Sequence, residues 1–175
     1  MRLISGLAYF LLSGACAHGV GAFMPSEGRY LLQWENGAES PVEILGSGPR
    51  RVLVEGGAAE SCRKVSFLEA RSDGIFAADS GVLLLPSNLV VGYRWVISSK
   101  QMEGPCVVER RIIAVGTARV EVETVGVCDG KPVDEHVVSV WLVGQGLVNE
   151  SYTTGGWRQM KRVGTQGVPE PKCWH

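Results

Sequence analysis

The sequence predicts an all-β protein with a single antiparallel, strongly curved sheet, as a half-barrel, small barrel or sandwich stapled by disulfides. No segment shows a sustained helical period of apolar residues; short alternating runs occur instead. Turn signals such as Asn36-Gly37 and Asp73-Gly74 separate these runs at the spacing typical of all-β folds. Cysteines that follow an N-terminal export signal indicate an oxidised, disulfide-bonded domain.

The size and charge of the chain narrow the class of protein. Its 175 residues are enough for one domain with a hydrophobic core. The formal net charge is -1, and acidic and basic residues are interspersed. The sequence has no basic block of the kind that binds nucleic acid, so we expect no nucleic-acid partner.

Residues 1–17 have the features of a signal peptide. Arg2 provides the positive end, an apolar run follows over 3–12, and Ala15-Cys16-Ala17 fits the cleavage pattern. The mature chain then begins near His18 and is periplasmic or secreted. The alternative is an outer-membrane lipoprotein anchored at Cys16, although Ser13 stands where that pattern has leucine. Membrane attachment is expected only in that case.

The mature chain divides into three parts. We expect a flexible, Gly-rich segment over 18–28, a single β domain over 29–163 and a C-terminal tail over 164–175. In the first half, alternation of apolar and polar residues predicts strands separated by Gly-containing turns. These strands cover 29–34, 41–45, 51–55, 62–70, 75–78 and 82–85.

The second half of the domain is predicted to be an antiparallel meander. A strand over 89–99 comes first, and a hairpin follows whose turn is Gly116 to Ala118. Val120 and Val122 point inward on its second strand, so the alternate residues face water. Further strands are expected over 137–143, after Gly146 and over 157–163.

The cysteines of the mature chain are Cys62, Cys106, Cys128 and Cys173, and they allow three pairings. Cys106 and Cys128 lie at equal distances from the middle of the predicted turn, which favours a bond between them. Cys62 and Cys173 then tie the tail to the first half. The alternative is that some of these residues are buried free thiols.

The sequence offers little support for catalysis. The histidines of the mature chain are His18, His136 and His175, and none stands in a pattern that signals a nucleophile or metal partner. We therefore predict no catalytic residue, no metal site and no cofactor. Gly144-Gln145-Gly146 precedes a strand, so it is a turn or bulge rather than a phosphate loop, and we expect a positive φ angle or tight packing at Gly146.

Aromatic residues on the strand runs are the candidates for binding. They either line a cavity or form an exposed patch, and the competing interpretation is that they fill the core. Tyr93, Trp95 and Ile97 share one face by period two. The candidates are Tyr93, Trp95, Trp141, Tyr152 and Trp157.

Two short patterns lie between about residues 73 and 150: Gly-x-x-Trp at Gly92 to Trp95, and Gly-x-Gly-Leu-Val at Gly144 to Val148. With them the segment resembles the TapB-like group and related bacterial exported domains of unknown function. The resemblance implies an exported, β-rich domain with a curved sheet that is compatible with disulfides. It implies no catalytic residues. Other matching residues are Asp73-Gly74-Ile75, Pro86, Leu89, Val115-Gly116-Thr117, Val122, Gly126, Cys128 and Trp141.

The function expected from these observations is that of a non-enzymatic binding or assembly module in the bacterial cell envelope, whose partner is an envelope protein or an apolar ligand. One alternative is a carrier of a small apolar or lipid ligand inside the curved sheet, which requires an apolar cavity of several hundred Å³. Another is a periplasmic inhibitor or immunity protein that uses the loop over 99–105. An enzyme requires His136 in a cleft beside another titratable group.

Overall fold

The computed structural model is all-β, and its strands form one antiparallel sheet that is nearly closed into a barrel. The structure describes residues 19–56, 62–97, 106–128 and 131–163. The predictions of an all-β fold and of a single curved antiparallel sheet are therefore confirmed. Within these ranges, no helix is both long enough and apolar enough to cross a membrane.

The strands lie close to the predicted runs. In chain order they are β1 (Gly28–Trp34), β2 (Glu39–Leu45), β3 (Arg50–Gly56), β4 (Cys62–Arg71), β5 (Gly74–Ala77), β6 (Val82–Pro86), β7 (Arg94–Ile97), β8 (Cys106–Val115), β9 (Arg119–Cys128), β10 (Lys131–Leu142), β11 (Gly146–Tyr152) and β12 (Trp157–Arg162).

Nearly every strand pairs with its neighbours in sequence, but the sheet is centred on a non-local pair. β1 pairs with β12. From that pair the sheet runs through β2 to β6 on one side and through β11 to β7 on the other. The two ends of the sheet, β6 and β7, are consecutive in the chain and meet at what we call the seam.

The seam is crossed by side-chain hydrogen bonds. The Trp95 indole donates to the carbonyl oxygen of Leu83 at 3.1 Å. Arg110 Nη1 lies 3.4 Å from the same oxygen and 3.3 Å from the carbonyl oxygen of Leu84. These donors engage the end strand β6, whose free carbonyl groups otherwise offer a template for unwanted pairing.

The strand predicted over 89–99 is shorter within the described residues, where β7 begins only at Arg94. Two features interrupt it. Leu89 and Val90 donate backbone hydrogen bonds to the carbonyl groups of Ser87 and Asn88, which folds the chain into turns. Gly92 then adopts a φ angle of 89°, which is incompatible with an extended strand.

The segment over 18–28, expected to be flexible, instead contributes to the core where it is described. Residues 20–23 form a 3₁₀ turn, and the side chain of Phe23 is 0% exposed. Backbone hydrogen bonds join Gly144 to Ala22 and Ser26 to Gly144, at 2.7 and 2.9 Å. We call residues 20–26 the N-terminal plug. Apolar burial outweighs the glycine-rich composition that suggested flexibility.

Two clusters of buried side chains fill the barrel. The larger cluster contains Phe23 from the plug together with Trp95 and Trp141. It also contains Val120 and Val122, whose predicted inward orientation is confirmed by exposures of 0% and 2%. The smaller cluster is formed by Tyr30, Val42 and Ile44, with Leu32, Leu53 and Met160 packed against it.

The turn before β11 fixes the plug to the sheet, and it supports a testable prediction about Gly146. Its φ angle is 75°, as predicted, and a Cβ atom added there would lie 3.0 Å from Pro25 Cδ. We expect Gly146→Val to lower the free energy of unfolding by about 1–3 kcal/mol, because valine disfavours this backbone and also displaces Pro25. Urea denaturation measures the change.

Gly37 provides the matched control for this prediction. It has a φ angle of 78°, but no atom lies within 4 Å of an added Cβ atom. Gly37→Val therefore reports the backbone cost alone, and its loss should be smaller than that of Gly146→Val. Equal losses would contradict the contact between Gly146 and the plug.

Candidate ligand cavity inside the barrel

A cavity of about 170 Å³ lies beside both core clusters. Trp141 of the larger cluster forms part of its wall, and Leu32, Leu53 and Met160 extend the wall from the smaller cluster. Leu84 of β6 also lines the cavity, which therefore reaches the strand at the seam. The wall is thus mainly apolar and is built from both halves of the chain.

The volume of the cavity limits what it can hold. At about 170 Å³ it is close to the ~150 Å³ cavity that accommodates benzene in an engineered protein. It is smaller than the roughly 300–1,000 Å³ of sites for drug-sized ligands. The several hundred Å³ expected of a carrier for a small apolar or lipid ligand are not present in this cavity, whereas a molecule of about one ring fits.

An ion pair between Glu150 and Arg158 forms a polar part of the wall. The two residues face each other across β11 and β12, and Arg158 Nε donates to Glu150 Oε2. Burial acts to lower the pKa of Arg158, but the hydrogen bond and the charge of Glu150 outweigh burial, and the pKa is raised. Ser139 Oγ lies 3.5 Å from the other carboxylate oxygen. The negative charge of Glu150 is therefore balanced by Arg158, and its second carboxylate oxygen lies near the Ser139 hydroxyl.

Arg110 is a second cation in the barrel interior. Burial lowers the pKa of its guanidinium, and the negative charge of Glu150 offsets that effect only in part. Its Nη1 atom reaches the carbonyl groups of β6 at the seam. Its buried Nε atom has no hydrogen-bond partner in the part of the chain that the structure describes. Glu150 is thus influenced by two guanidinium groups.

Glu55 is the other acidic residue of the wall. It lies opposite Val42 across β2 and β3, and both residues line the cavity. Its negative charge contributes to the raised pKa of Arg158, after the larger effects of burial and Glu150. Among the described residues, its carboxylate makes no hydrogen bond and no ion pair within 4.0 Å. Within those residues, Glu55 therefore offers the cavity a carboxylate that makes no hydrogen bond.

The five aromatic candidates do not come together in one site. Trp141 alone among them lines the cavity. Trp95 is buried at the seam, with its ring centroid 6.1 Å from that of Tyr93, which is partly exposed. Tyr152 is half-buried at the end of β11, and Trp157 is 40% exposed at the start of β12. One of the five aromatic residues thus lines the cavity, and two lie at the seam.

The hairpin of β8 and β9 places two of the predicted cysteines opposite each other. Cys106 pairs with Cys128 in the strand register. Directly opposed residues have Cα atoms about 4.5–5.5 Å apart, which is within the range that a disulfide spans. Cys62 begins β4. Cys16 and Cys173 lie outside the described residues.

The histidine that an enzyme hypothesis would need is outside the cavity. His136 Nδ1 lies 3.6 Å from Glu123 Oε1, and Glu123 also accepts a hydrogen bond from Arg111 at 2.6 Å. Glu123 follows the inward-facing Val122 and so points to the outer face. His18, His175 and the loop over 99–105 lie outside the described residues. Within the described ranges, no cluster of side chains suits a metal ion.

The charged residues of the wall were not among the candidates taken from the sequence. One signal was present for Glu150, which follows Val148 at period two and so shares its inward face. Glu55 gave a weaker signal, because it ends the run Val52-Leu53-Val54, in which both faces are apolar. Arg158 became recognisable only once β12 was placed beside β11.

Comparisons with protein families, with curated proteins and with solved structures find no match to this chain.

Proposed function

We propose that this protein is an exported, non-enzymatic binding protein that holds a small, largely apolar ligand inside its barrel. The cavity of about 170 Å³ is the observation that carries the proposal. The signal-peptide pattern of residues 1–17 and the resemblance to TapB-like exported domains support a periplasmic or secreted location. The alternative is that a lipid on Cys16 anchors the protein to the outer membrane.

The apolar wall of the cavity supports a role in binding. The cavity is partly open to solvent, so water contacts wall side chains such as Leu53 and Trp141. A ligand that covers these side chains removes apolar surface from water, which contributes about 25 cal/mol for each Å² buried.

A disulfide between Cys106 and Cys128 also forms part of the proposal. Cys106 and Cys128 lie opposite each other in the register of β8 and β9, which supports the pairing. Such a bond closes the open end of the β8–β9 hairpin and suits an oxidising compartment. The pairing of Cys62 with Cys173 is proposed by elimination.

Filling the cavity with a side chain tests the proposal. Leu53 lines the cavity, and Leu53→Phe is expected to reduce binding of benzyl alcohol, a neutral one-ring probe, at least tenfold by occupying its space. The neighbouring Val52 alternates to the other face of β3, so Val52→Phe should leave binding unchanged. Isothermal titration calorimetry measures both variants. Unchanged binding by Leu53→Phe would contradict the assignment of the cavity.

The wider role of an envelope binding or assembly module is a second candidate. Its specific support is a set of exposed apolar residues around the seam: Val90, Val91, Tyr93 and Val96 are between 37% and 61% exposed. Native mass spectrometry of protein purified from periplasm separates the two functions. A retained small molecule supports ligand binding in the cavity, whereas a retained protein in fixed stoichiometry, lost in Val96→Asp, supports the module.

A further inference from the structure

We infer that the ligand is a small organic cation, with an ammonium group held by Glu55 and an apolar body of about one ring. This inference rests on the proposed ligand-binding function and adds the chemical class of the ligand. It follows from which charges of the cavity wall are already paired and which are not.

The first step concerns the residues that are already engaged. Arg158 is the only cation among the described residues of the wall, and its guanidinium binds Glu150. An anionic ligand would have to compete with that carboxylate for Arg158. It would also face the negative charges of Glu55 and Glu150. The cavity is therefore unfavourable for carboxylates and phosphates that are small enough to fit it.

The second step concerns the carboxylate of Glu55. An ionised carboxylate accepts hydrogen bonds and donates none, so its complement is an N–H or O–H donor. Glu55 lies in a wall where Val42 and Leu53 are close neighbours in the sheet. Glu55 is half-buried in a cavity that is partly open to solvent, so a donor on a bound ligand would take the place of water at its carboxylate. A hydroxyl and an ammonium both make charge-assisted hydrogen bonds to an ionised carboxylate, but the ammonium adds the attraction between opposite charges, which favours a cation.

The third step concerns the rest of the ligand. Apart from the charged residues, the wall is formed largely by Leu32, Leu68, Leu84, Trp141 and Met160, and its uncharged polar residues are Ser66 and Asn149. The five larger side chains offer no donors or acceptors apart from the Trp141 indole. The remainder of the ligand is therefore largely apolar, and the volume suits about one aromatic or aliphatic ring.

Three probes of nearly equal shape test the inference. Benzylamine, benzyl alcohol and benzoate present a cation, a neutral hydroxyl and an anion on the same ring, and calorimetry at neutral pH compares their affinities. We expect benzylamine to bind at least tenfold more tightly than benzyl alcohol, and benzoate to bind most weakly. Glu55→Gln should remove the advantage of benzylamine and leave the affinity for benzyl alcohol within about twofold.

Glu43 supplies the matched control. It is the outward-facing neighbour of Val42 on β2, and its Oε1 atom lies 3.9 Å from Arg29 Nε. Glu43→Gln removes the same charge without touching the cavity and should leave the preference for benzylamine intact. An equal loss in both variants would overturn the inference, because it would indicate attraction by overall charge.

The remaining outcomes distinguish this inference from the proposed function. If the wild-type protein binds benzylamine and benzyl alcohol equally, and Leu53→Phe abolishes both, the cavity binds ligands but the ammonium assignment is wrong. If none of the three probes binds to the wild-type protein, both the proposed function and this inference fail. Tighter binding of benzoate than of benzylamine would reverse the assigned charge and overturn the inference.

Discussion

Replacing Phe23 with alanine is expected to lower the free energy of unfolding by about 3–5 kcal/mol, the range for large buried aromatic residues. Phe23 is fully buried in the larger core cluster, although it lies in a short 3₁₀ turn outside the sheet. Backbone hydrogen bonds between residues 22 and 144 and between 26 and 144 hold the plug in place. The surroundings therefore have little freedom to collapse around the missing ring.

Chemical denaturation of Phe23→Ala measures this effect, with Phe67→Ala as its control. Phe67 is 44% exposed on β4, so its removal should cost far less. A small and equal loss in both variants would show that the plug is not packed against the sheet. It would also restore the expectation of a flexible segment before β1.

Cys106→Ser is expected to destabilise the protein by about 2–5 kcal/mol under oxidising conditions. The cause is the proposed bond to Cys128, which restricts the unfolded chain across the whole β8–β9 hairpin. Urea denaturation with and without a reducing agent measures the effect. Reduction should destabilise the wild-type protein.

The double variant Cys106→Ser, Cys128→Ser provides the control for this effect. If the two residues act only through their common bond, the double variant should lose about as much stability as the single one. Any further loss on reduction would then come from the pair proposed for Cys62 and Cys173. An unchanged midpoint for the reduced wild-type protein would contradict the Cys106–Cys128 bond.

Local features of the fold were predictable because they depend on neighbouring residues. The β8–β9 hairpin follows from two alternating runs around Gly116, and the inward orientation of Val122 follows from period two. The positive φ angle of Gly146 follows from its place in a glycine turn. Each of these signals lies within a few residues of the structure that it determines.

Features that depend on distant residues were not predictable in the same way. No local pattern indicates that β1 pairs with β12, yet this pair places the seam between β6 and β7. The plug was missed because glycine-rich composition resembles that of a flexible segment, whereas burial of Phe23 is decided by the sheet beneath it. The polar wall of the cavity was missed for a similar reason, since Glu55 and Arg158 belong to opposite halves of the chain.

The most direct test of the ligand-binding account is a crystal structure of the protein soaked with bromobenzene, in which anomalous scattering locates the bromine atom. The account predicts an anomalous peak inside the barrel, in contact with Leu53, Trp141 and Met160. The peak should disappear in Leu53→Phe and persist in Val52→Phe. A cavity without bromine, or a peak confined to the outer surface, would contradict the account.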